Sequence, residues 1–375
     1  MTGTPLIINA LGQLDNPNAP QSMEAAGDLN PTSEQYTVDT RTLADARASG
    51  LTAVNITLGY VMGDLPPYEH TLHEIDIWDG IIDRHPDDLL KVTGVADIRT
   101  AARDGRVGVI YGFQNAVAVG DDVARVATFA ERGVRVVQLT YNQANHLGGG
   151  SMAPSGTGLT AFGREVVDAL NDHHLMVDLS HSGERTCLDA ATHSRVPVSI
   201  NHTGCRALTD LPRNKTDEEL RLVASRGGFV GIYFMPFLSP TGHARAAGVV
   251  EHIAHAVDVC GEDHVGIGTD GPVTAIDDLD AYRARLAEHV AQRQEAGVSA
   301  AGERADTYPF VVDLRGVDQF RELIRLLEQR GYSSGRIEKI MGRNFVDYAE
   351  RVWTAQPRDA HRDVSRTSVT RLSGH

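Results

Sequence analysis

Two histidines and an aspartate lie where three predicted strands end. They are His181, His202 and Asp270, which close the segments 177–181, 198–202 and 265–270. In a chain of alternating strands and helices, the carboxyl ends of parallel strands converge on one face. Imidazole nitrogens and a carboxylate are common protein ligands of zinc. Each residue alone is more often a hydrogen-bonded part of the structure, but the three together predict a metal-dependent hydrolase.

The spacing of apolar segments predicts the framework that positions these residues. Apolar, β-branched segments recur along the chain with helical patterns between them. The eight predicted strands are 6–10, 53–58, 107–112, 134–139, 175–179, 196–200, 229–233 and 265–268. Their character is typical of strands buried on both faces, and Thr216 to Glu219 has the pattern of a helix capping box. This alternation predicts an α/β fold, a (β/α)8 TIM barrel, with a doubly wound open sheet as the alternative.

The composition narrows the class of protein. A chain of 375 residues with 41% hydrophobic content can bury a large core. The formal net charge of -15 argues against nucleic acid or an anionic membrane as partner, because both attract basic surfaces. Residues 1–12 lack a signal-peptide pattern, which predicts a cytoplasmic protein. The cysteines lack CxxC spacing and are expected to be reduced and buried, at Cys187, Cys205 and Cys260.

Three segments exceed ordinary connections between elements. They are 13–36, 141–160 and 271–315. Long loops in compact enzymes often cover or bind the ligand. The third segment carries a predicted helix over 279–294, and it either covers the site or mediates a dimer contact. Residues 1–354 are predicted to form one catalytic domain, and the polar segment 355–375 a disordered tail.

Six sequence blocks occur in a characteristic order, at 158–167, 177–182, 197–202, 213–217, 263–271 and 341–345. Together they resemble the membrane dipeptidase (renal dipeptidase) family, peptidase family M19 of the amidohydrolase superfamily. The resemblance covers nearly the whole chain up to Trp353, and segments 112–115 and 139–143 resemble a divergent bacterial branch. It implies a barrel with two zinc ions at its mouth, where a bridging hydroxide attacks the peptide carbonyl of a dipeptide.

The resemblance also implies roles for individual residues. His181 and His202 would hold the second metal. Arg213 would bind the substrate carboxylate, for which a bidentate guanidinium is suited. Asp270 would contact the first metal and transfer protons.

The loop after the fourth predicted strand supplies further candidates. Tyr141 stands in place of the family's carbonyl-binding histidine and would donate a hydrogen bond to a polarised carbonyl or oxyanion. Asn142 and Asn145 are candidate substrate-binding residues. His146 is a possible extra metal ligand in this loop, whereas His173 and His174 are predicted to lie on the opposite barrel face.

The residues that bind the first zinc ion in the family are replaced in this sequence. The family's first strand ends in a His-x-Asp pair, and Leu11 and Gln13 occupy those places. Gln114 occupies the place of the bridging glutamate, and a neutral amide is a poor bridge between two cations. The remaining residues predict at most one well-held zinc ion, through His181, His202 and either Asp270 or the Gln114 carbonyl oxygen.

Three functions stay open on these residues. The first is a metal-dependent hydrolase of a small amide, either a dipeptide or an N-acyl amino acid. The second is a repurposed barrel that performs non-hydrolytic acid–base chemistry on a small carboxylate-bearing substrate, with one metal or none. The third is a non-catalytic binding protein, which the set of polar residues disfavours. The resemblance further implies a homodimer.

Overall fold

Apolar segments form a sheet in which every strand pairing is parallel. The computed structural model describes residues 5–19, 38–297 and 299–354. Within these ranges the strands are β1 (Ile8–Asn9), β2 (Ala53–Thr57), β3 (Leu89–Val92), β4 (Val107–Phe113), β5 (Val134–Gln138), β6 (Met176–Asp178), β7 (Ser199–Thr203), β8 (Phe229–Ile232) and β9 (Val265–Ile267). They pair in the order β1-β2-β4-β5-β6-β7-β8-β9, and β3 pairs with β4 off this path.

Helices alternate with these strands, as parallel pairing requires. They are α1 (Thr40–Ala48), α2 (Pro67–Arg84), α3 (Val95–Asp104), α4 (Arg125–Glu131), α5 (Ala161–Asp172), α6 (Glu184–His193), α7 (Asp217–Ser225), α8 (Ala246–Cys260), α9 (Leu279–Glu295), α10 (Gln319–Gln329), α11 (Ser334–Glu338) and α12 (Asn344–Trp353). Short 3₁₀ turns span Ala116–Val119 and Pro236–Leu238, and a π turn spans Lys339–Arg343. Across the described ranges, no helix has the length and apolar character needed to cross a bilayer.

The first and last strands meet and nearly close the sheet into a barrel. The Ala10 amide donates to the Ile267 carbonyl over 3.0 Å. Next to it, the Asn9 side chain donates to Thr269 Oγ1 over 2.8 Å and accepts from the Thr269 amide over 2.8 Å. An open sheet would leave these edges apart. The predicted (β/α)8 barrel is therefore confirmed, and the open-sheet alternative is wrong.

Two strands differ from the prediction. The strand β3 was not predicted, because only its end residues are fully buried while Lys91 reaches Asp79 over 2.6 Å at the surface. The strand β7 begins at Ser199, beyond Pro197, since proline cannot donate to a sheet ladder. His202 consequently lies inside β7 and not after it.

Other local predictions are confirmed. Helix α9 matches the predicted 279–294 helix to within one residue. Thr216 caps α7, and Glu219 completes the capping box. Two of the cysteines are buried, the third is partly buried, and none forms a disulfide. The predicted tail at 355–375 and most of the 13–36 loop lie outside the described residues.

Candidate active site

The two histidines lie side by side at the barrel mouth. His202 belongs to β7, and His181 lies in the turn after β6. Their ring centroids are 5.0 Å apart, and both side chains are buried. The register, which pairs Asp178 of β6 with Ser199 of β7, brings the turn after β6 next to the end of β7. The parallel sheet thus unites the pair that the sequence separates by about twenty residues.

The orientation of His181 is fixed by its neighbours. Its Nδ1 lies 2.7 Å from Asn142 Oδ1, and Tyr141 stacks on the ring with centroids 4.3 Å apart. Because an amide oxygen only accepts, Nδ1 carries the proton and Nε2 presents its lone pair. Nε2 has no hydrogen-bond partner among the described residues. Asn142 thus orients His181, and its predicted role in binding substrate stays a prediction.

His202 has two buried ring nitrogens without hydrogen-bond partners in the described part of the chain. Its backbone amide donates to Ser180 Oγ over 3.1 Å. Asp178 anchors this region, since its Oδ1 accepts from the Ser180 and Asn201 amides, each over 3.0 Å. Burial of unpaired polar atoms is costly, so the unpaired nitrogens indicate that a ligand or ion completes them.

Cationic side chains surround the histidines. Arg213 is 2% exposed and donates to the Ser180 carbonyl over 2.6 Å. Among the described ion pairs, none involves Arg213. Lys215 is also buried and pairs with Glu219 over 3.1 Å. Burial, followed by the charges of Arg213 and Lys215, lowers the pKa of both histidines well below the ordinary value, which keeps them neutral.

Asp270 has an unusual backbone and an unusual carboxyl group. Its φ of 60° is in the left-handed region, and its amide donates to the Leu11 carbonyl over 3.0 Å. Non-glycine residues in this conformation cluster at functional sites. Burial raises the pKa of Asp270 to about 6, against the opposing effect of Arg213 and Arg293. The carboxyl can therefore exchange a proton near neutral pH.

Residues of the segment 271–315 cover this cluster and complete a pocket of about 120 Å³. Barrel residues on its wall are Tyr141, Asn142, His181, Arg213 and Asp270. Helix α9 contributes Tyr282, Leu286, His289, Val290 and Arg293. The Gln143 side chain donates to the Gly297 carbonyl over 2.8 Å, so the covering segment is tied to the 141–160 loop.

Helix α9 lines the pocket, which was not predicted from the sequence. Its pocket residues recur at positions 282, 286, 289, 290 and 293, which is the spacing of one helix face. This face of the helix combines apolar, aromatic and charged residues. That pattern was the signal in the sequence that α9 could line a pocket. Burial lowers the pKa of Arg293, but Tyr141 and Glu303 together raise it above its ordinary value. Arg293 is thus held as a cation inside the pocket.

Several predicted site residues make other contacts. Gln114 donates to Thr57 Oγ1 over 2.7 Å and is absent from the pocket wall. Asn145 donates to Asn115 and to the Leu139 carbonyl, each over 2.9 Å, which shapes its own loop. His146 packs against Phe162. His173 and His174 lie in the turn between α5 and β6, at the amino-terminal end of β6 and far along the strand from the mouth.

The side chains at the barrel mouth supply only part of the metal centre that the family resemblance implies. Leu11 is buried and apolar, and Gln13 is exposed, so neither supplies a ligand for a first metal. Within the described ranges, no group of three or more His, Cys, Asp or Glu side chains is arranged to hold an ion. The two unpaired imidazoles of His181 and His202 fit a single ion, with its other positions left to water or substrate.

Asp15 is a second buried carboxyl group near the pocket that the sequence argument missed. It is 6% exposed, and its Oδ1 has no hydrogen-bond partner among the described residues. Burial raises its pKa to about 7. It acts electrostatically on Tyr282 of the pocket wall, whose pKa burial raises to about 12. At alkaline pH Asp15 is therefore a buried charge whose Oδ1 accepts no hydrogen bond from the described residues.

Replacing Asp15 by asparagine should stabilise the protein only at higher pH. The folded state holds this proton more tightly than the unfolded chain, so its contribution to stability falls as pH rises from about 4 to about 7. We expect D15N to raise the melting temperature by about 5 °C at pH 8 and to leave it unchanged at pH 4. Thermal unfolding at both pH values checks this, and an equal shift at both would contradict it.

The barrel and the residues at its mouth are those of a hydrolase. The ends of parallel strands and the loops after them bring His181, Arg213 and Asp270 to one covered pocket, with His202 buried next to His181, and such sites at the carboxyl ends of barrel strands are typical of hydrolases. The model of the family described as membrane dipeptidase (peptidase family M19) matches residues 31–299. The chain belongs to this family and is an enzyme of its dipeptidase-like hydrolase class.

Individual relatives agree with this assignment. An uncharacterized dipeptidase of Schizosaccharomyces pombe is 31% identical over 208 residues, which cover 53% of this chain and 50% of that protein. The match thus spans half the length of that relative. An amidohydrolase from Pseudomonas aeruginosa has 30% identity and a TM-score of 0.76, over 93% of this chain and 97% of that one.

A more distant structure supports the fold alone. It is a metallopeptidase from Rhodobacter sphaeroides that was crystallised with a phosphinate mimic of the dipeptide L-Ala-D-Ala. Its identity is 20% and its TM-score 0.71, over 93% of this chain and 100% of that one.

Proposed function

We propose that this protein hydrolyses a small amide that bears a carboxylate, either a dipeptide or an N-acyl amino acid. The observation that carries the proposal is Arg213, a buried guanidinium without a carboxylate partner among the described residues, beside the unpaired Nε2 of His181. A substrate carboxylate would satisfy this charge through a bidentate contact. The scissile amide would then lie beside Asp270 in the same pocket.

The chain's own residues divide the work of hydrolysis. Arg213 holds the substrate carboxylate and so fixes the position of the amide. The Asp270 carboxylate takes a proton from the attacking water as the water oxygen bonds to the carbonyl carbon. Tyr141 donates a hydrogen bond to the oxygen that becomes negative. Asp270 returns the proton to the amine as the carbon–nitrogen bond breaks.

One divalent ion, zinc by ligand type, would be held by His181 and His202. Two neutral imidazoles with free nitrogens suit such an ion. A bound zinc supplies a water whose pKa lies near 7. The small-molecule substrate would be bound by residues of a single chain. We further propose that the protein is a homodimer in the cytoplasm.

A second function has its own supporting observation. Leu11, Gln13 and Gln114 supply no charged ligand, and Arg213, Lys215 and Arg293 all act on His181 as positive charges. A cationic surrounding favours an anionic ligand over a metal ion. The alternative is therefore metal-independent acid–base chemistry by Asp270 on a small carboxylate.

Metal content and turnover measured together test the proposal. We expect purified protein loaded with zinc or manganese to hold one ion per chain and to release an amino acid from members of a dipeptide and N-acyl amino acid panel. The double variant H181Q/H202Q should lose the ion and the turnover. The variant H173Q/H174Q is the matched control, because it removes two imidazoles from the opposite end of the barrel. Absence of both metal and turnover in the loaded wild type would favour the alternative.

A further inference from the structure

Lys215 is a buried cation next to the candidate site and has no role in the proposed hydrolysis. Its side chain is 1% exposed, and the Glu219 side chain that pairs with it over 3.1 Å is fully buried. Removing two charges from water costs free energy that their mutual attraction often fails to return, and apolar residues in their place are often as stable. Stability alone therefore gives little reason for this pair.

The second contact of Lys215 lies beside one of the two site histidines. Its ammonium group donates to the Ser182 carbonyl. Two positions earlier, Arg213 donates to the Ser180 carbonyl over 2.6 Å. Ser180 and Ser182 are the residues on either side of His181. The two cations therefore hold the backbone of the His181 turn from both sides.

The segment that carries both cations is itself fixed to the end of β7. The Lys215 amide donates to the Gly204 carbonyl over 3.0 Å, and the Lys215 carbonyl accepts from the Arg206 amide over 2.8 Å. The Arg213 carbonyl accepts from Thr203 Oγ1 over 3.2 Å. Through the two cations, the turn after β6 is anchored to the end of β7.

We infer that Lys215 is a positioning residue that fixes the imidazole of His181 by holding the Ser182 carbonyl. It thereby sets the distance from that imidazole to its partner His202 and to the Arg213 guanidinium. The inference rests on the proposed function, in which the two imidazoles hold an ion and the guanidinium binds the substrate carboxylate. Residues that orient a metal ligand without touching the ion typically contribute about 10- to 100-fold to affinity or activity.

The charge of Lys215 and its contact with the turn have opposite effects on a bound cation. A positive charge repels a zinc ion, so loss of the charge alone would tighten zinc binding. Loss of the contact would release the His181 turn and weaken zinc binding. The variant K215M/E219Q removes the contact and leaves the net charge unchanged. Because both members of the buried pair are replaced, no unpaired charge stays in the interior and the variant should fold.

Zinc titration of the metal-free protein tests the inference. We expect K215M/E219Q to bind zinc about tenfold more weakly than the wild type. E219Q keeps the lysine contact and should stay within about threefold of the wild type. The matched control is K91M/D79N, which removes a lysine–aspartate pair with a separation of 2.6 Å on β3 and α2 and should leave zinc affinity unchanged. Zinc affinity in K215M/E219Q equal to or tighter than in E219Q would overturn the inference.

NMR of the histidine ring nitrogens keeps the two proposals separable, because it needs neither metal nor turnover. The Asn142 oxygen accepts from Nδ1 of His181, so the metal-free wild type should show a single tautomer of this ring. We expect a mixture of tautomers in K215M/E219Q and the wild-type pattern in E219Q, with H181Q identifying the signals. If the wild type binds no zinc and cleaves no amide, the proposed function fails, and these spectra still decide the role of Lys215. A single, unchanged tautomer in K215M/E219Q contradicts it.

Discussion

Replacing Arg213 by methionine is expected to lower kcat/KM for dipeptides about 100- to 1000-fold. The guanidinium is buried and forms no ion pair among the described residues, so under the proposed function a substrate carboxylate would supply its counter-charge. Loss of a buried, charge-assisted contact costs binding on this scale. Methionine matches the length of the arginine stem but cannot donate. The measurement is kcat/KM for a dipeptide and for its C-terminal amide, which lacks the carboxylate.

The C-terminal dipeptide amide tests whether the loss in R213M comes from the contact with the substrate carboxylate. For the dipeptide amide, R213M and wild type should differ by less than about threefold, because neither makes the charged contact. The melting temperature should change by only a few degrees, since the lost bond to the Ser180 carbonyl is offset by removal of an unpaired buried charge. R221M, on the exposed face of α7, is the control. An equal loss with both substrates would remove Arg213 from carboxylate recognition.

Replacing Asp270 by asparagine is expected to lower kcat about 100- to 10,000-fold, the usual range for removal of a general base. Asparagine tolerates the left-handed backbone at this position, so D270N preserves the local fold. D270A should show the same catalytic loss with an added loss of stability from backbone strain. Steady-state kinetics and thermal unfolding of both variants separate the two effects.

The ionisation of the Asp270 carboxyl group determines how kcat/KM falls at acidic pH. Only the ionised form accepts a proton, so wild-type kcat/KM should fall as pH drops below about 6. Residual activity of D270N should lack this step. For stability the sign is opposite: burial raises the pKa from 3.8 to about 6, so the folded state binds the proton more tightly and stability declines as pH rises through this range. A wild-type profile that is flat from pH 5 to 8 would exclude Asp270 as the base.

The barrel was predictable because its determinants are local. Apolar segments at regular spacing and the capping box at Thr216 each report on a few neighbouring residues. The proximity of His181 and His202 followed as well, since parallel strands place their carboxyl ends together. Pro197 shifted β7 by an amount that the apolar pattern alone does not reveal.

The pocket wall was less predictable, because it depends on how distant segments pack. Nothing in the sequence near Arg293 indicates that it shares a pocket wall with Tyr141, which lies more than 150 positions earlier. Asn142 was expected to bind substrate, and its contact with His181 depends on the path of a loop. Asp15 gave no motif at all, since its unusual pKa results from burial alone.

The contact that closes the barrel joins residues very far apart in the chain. The Asn9 and Thr269 side chains are separated by 260 positions. At ribosomal rates of about 5–20 residues per second, Asn9 is added to the chain roughly 13 to 52 s before Thr269. During that time one edge of β1 has no pairing partner. The strand spans only two residues, Ile8–Asn9, and so short an edge offers little template for pairing with another nascent chain.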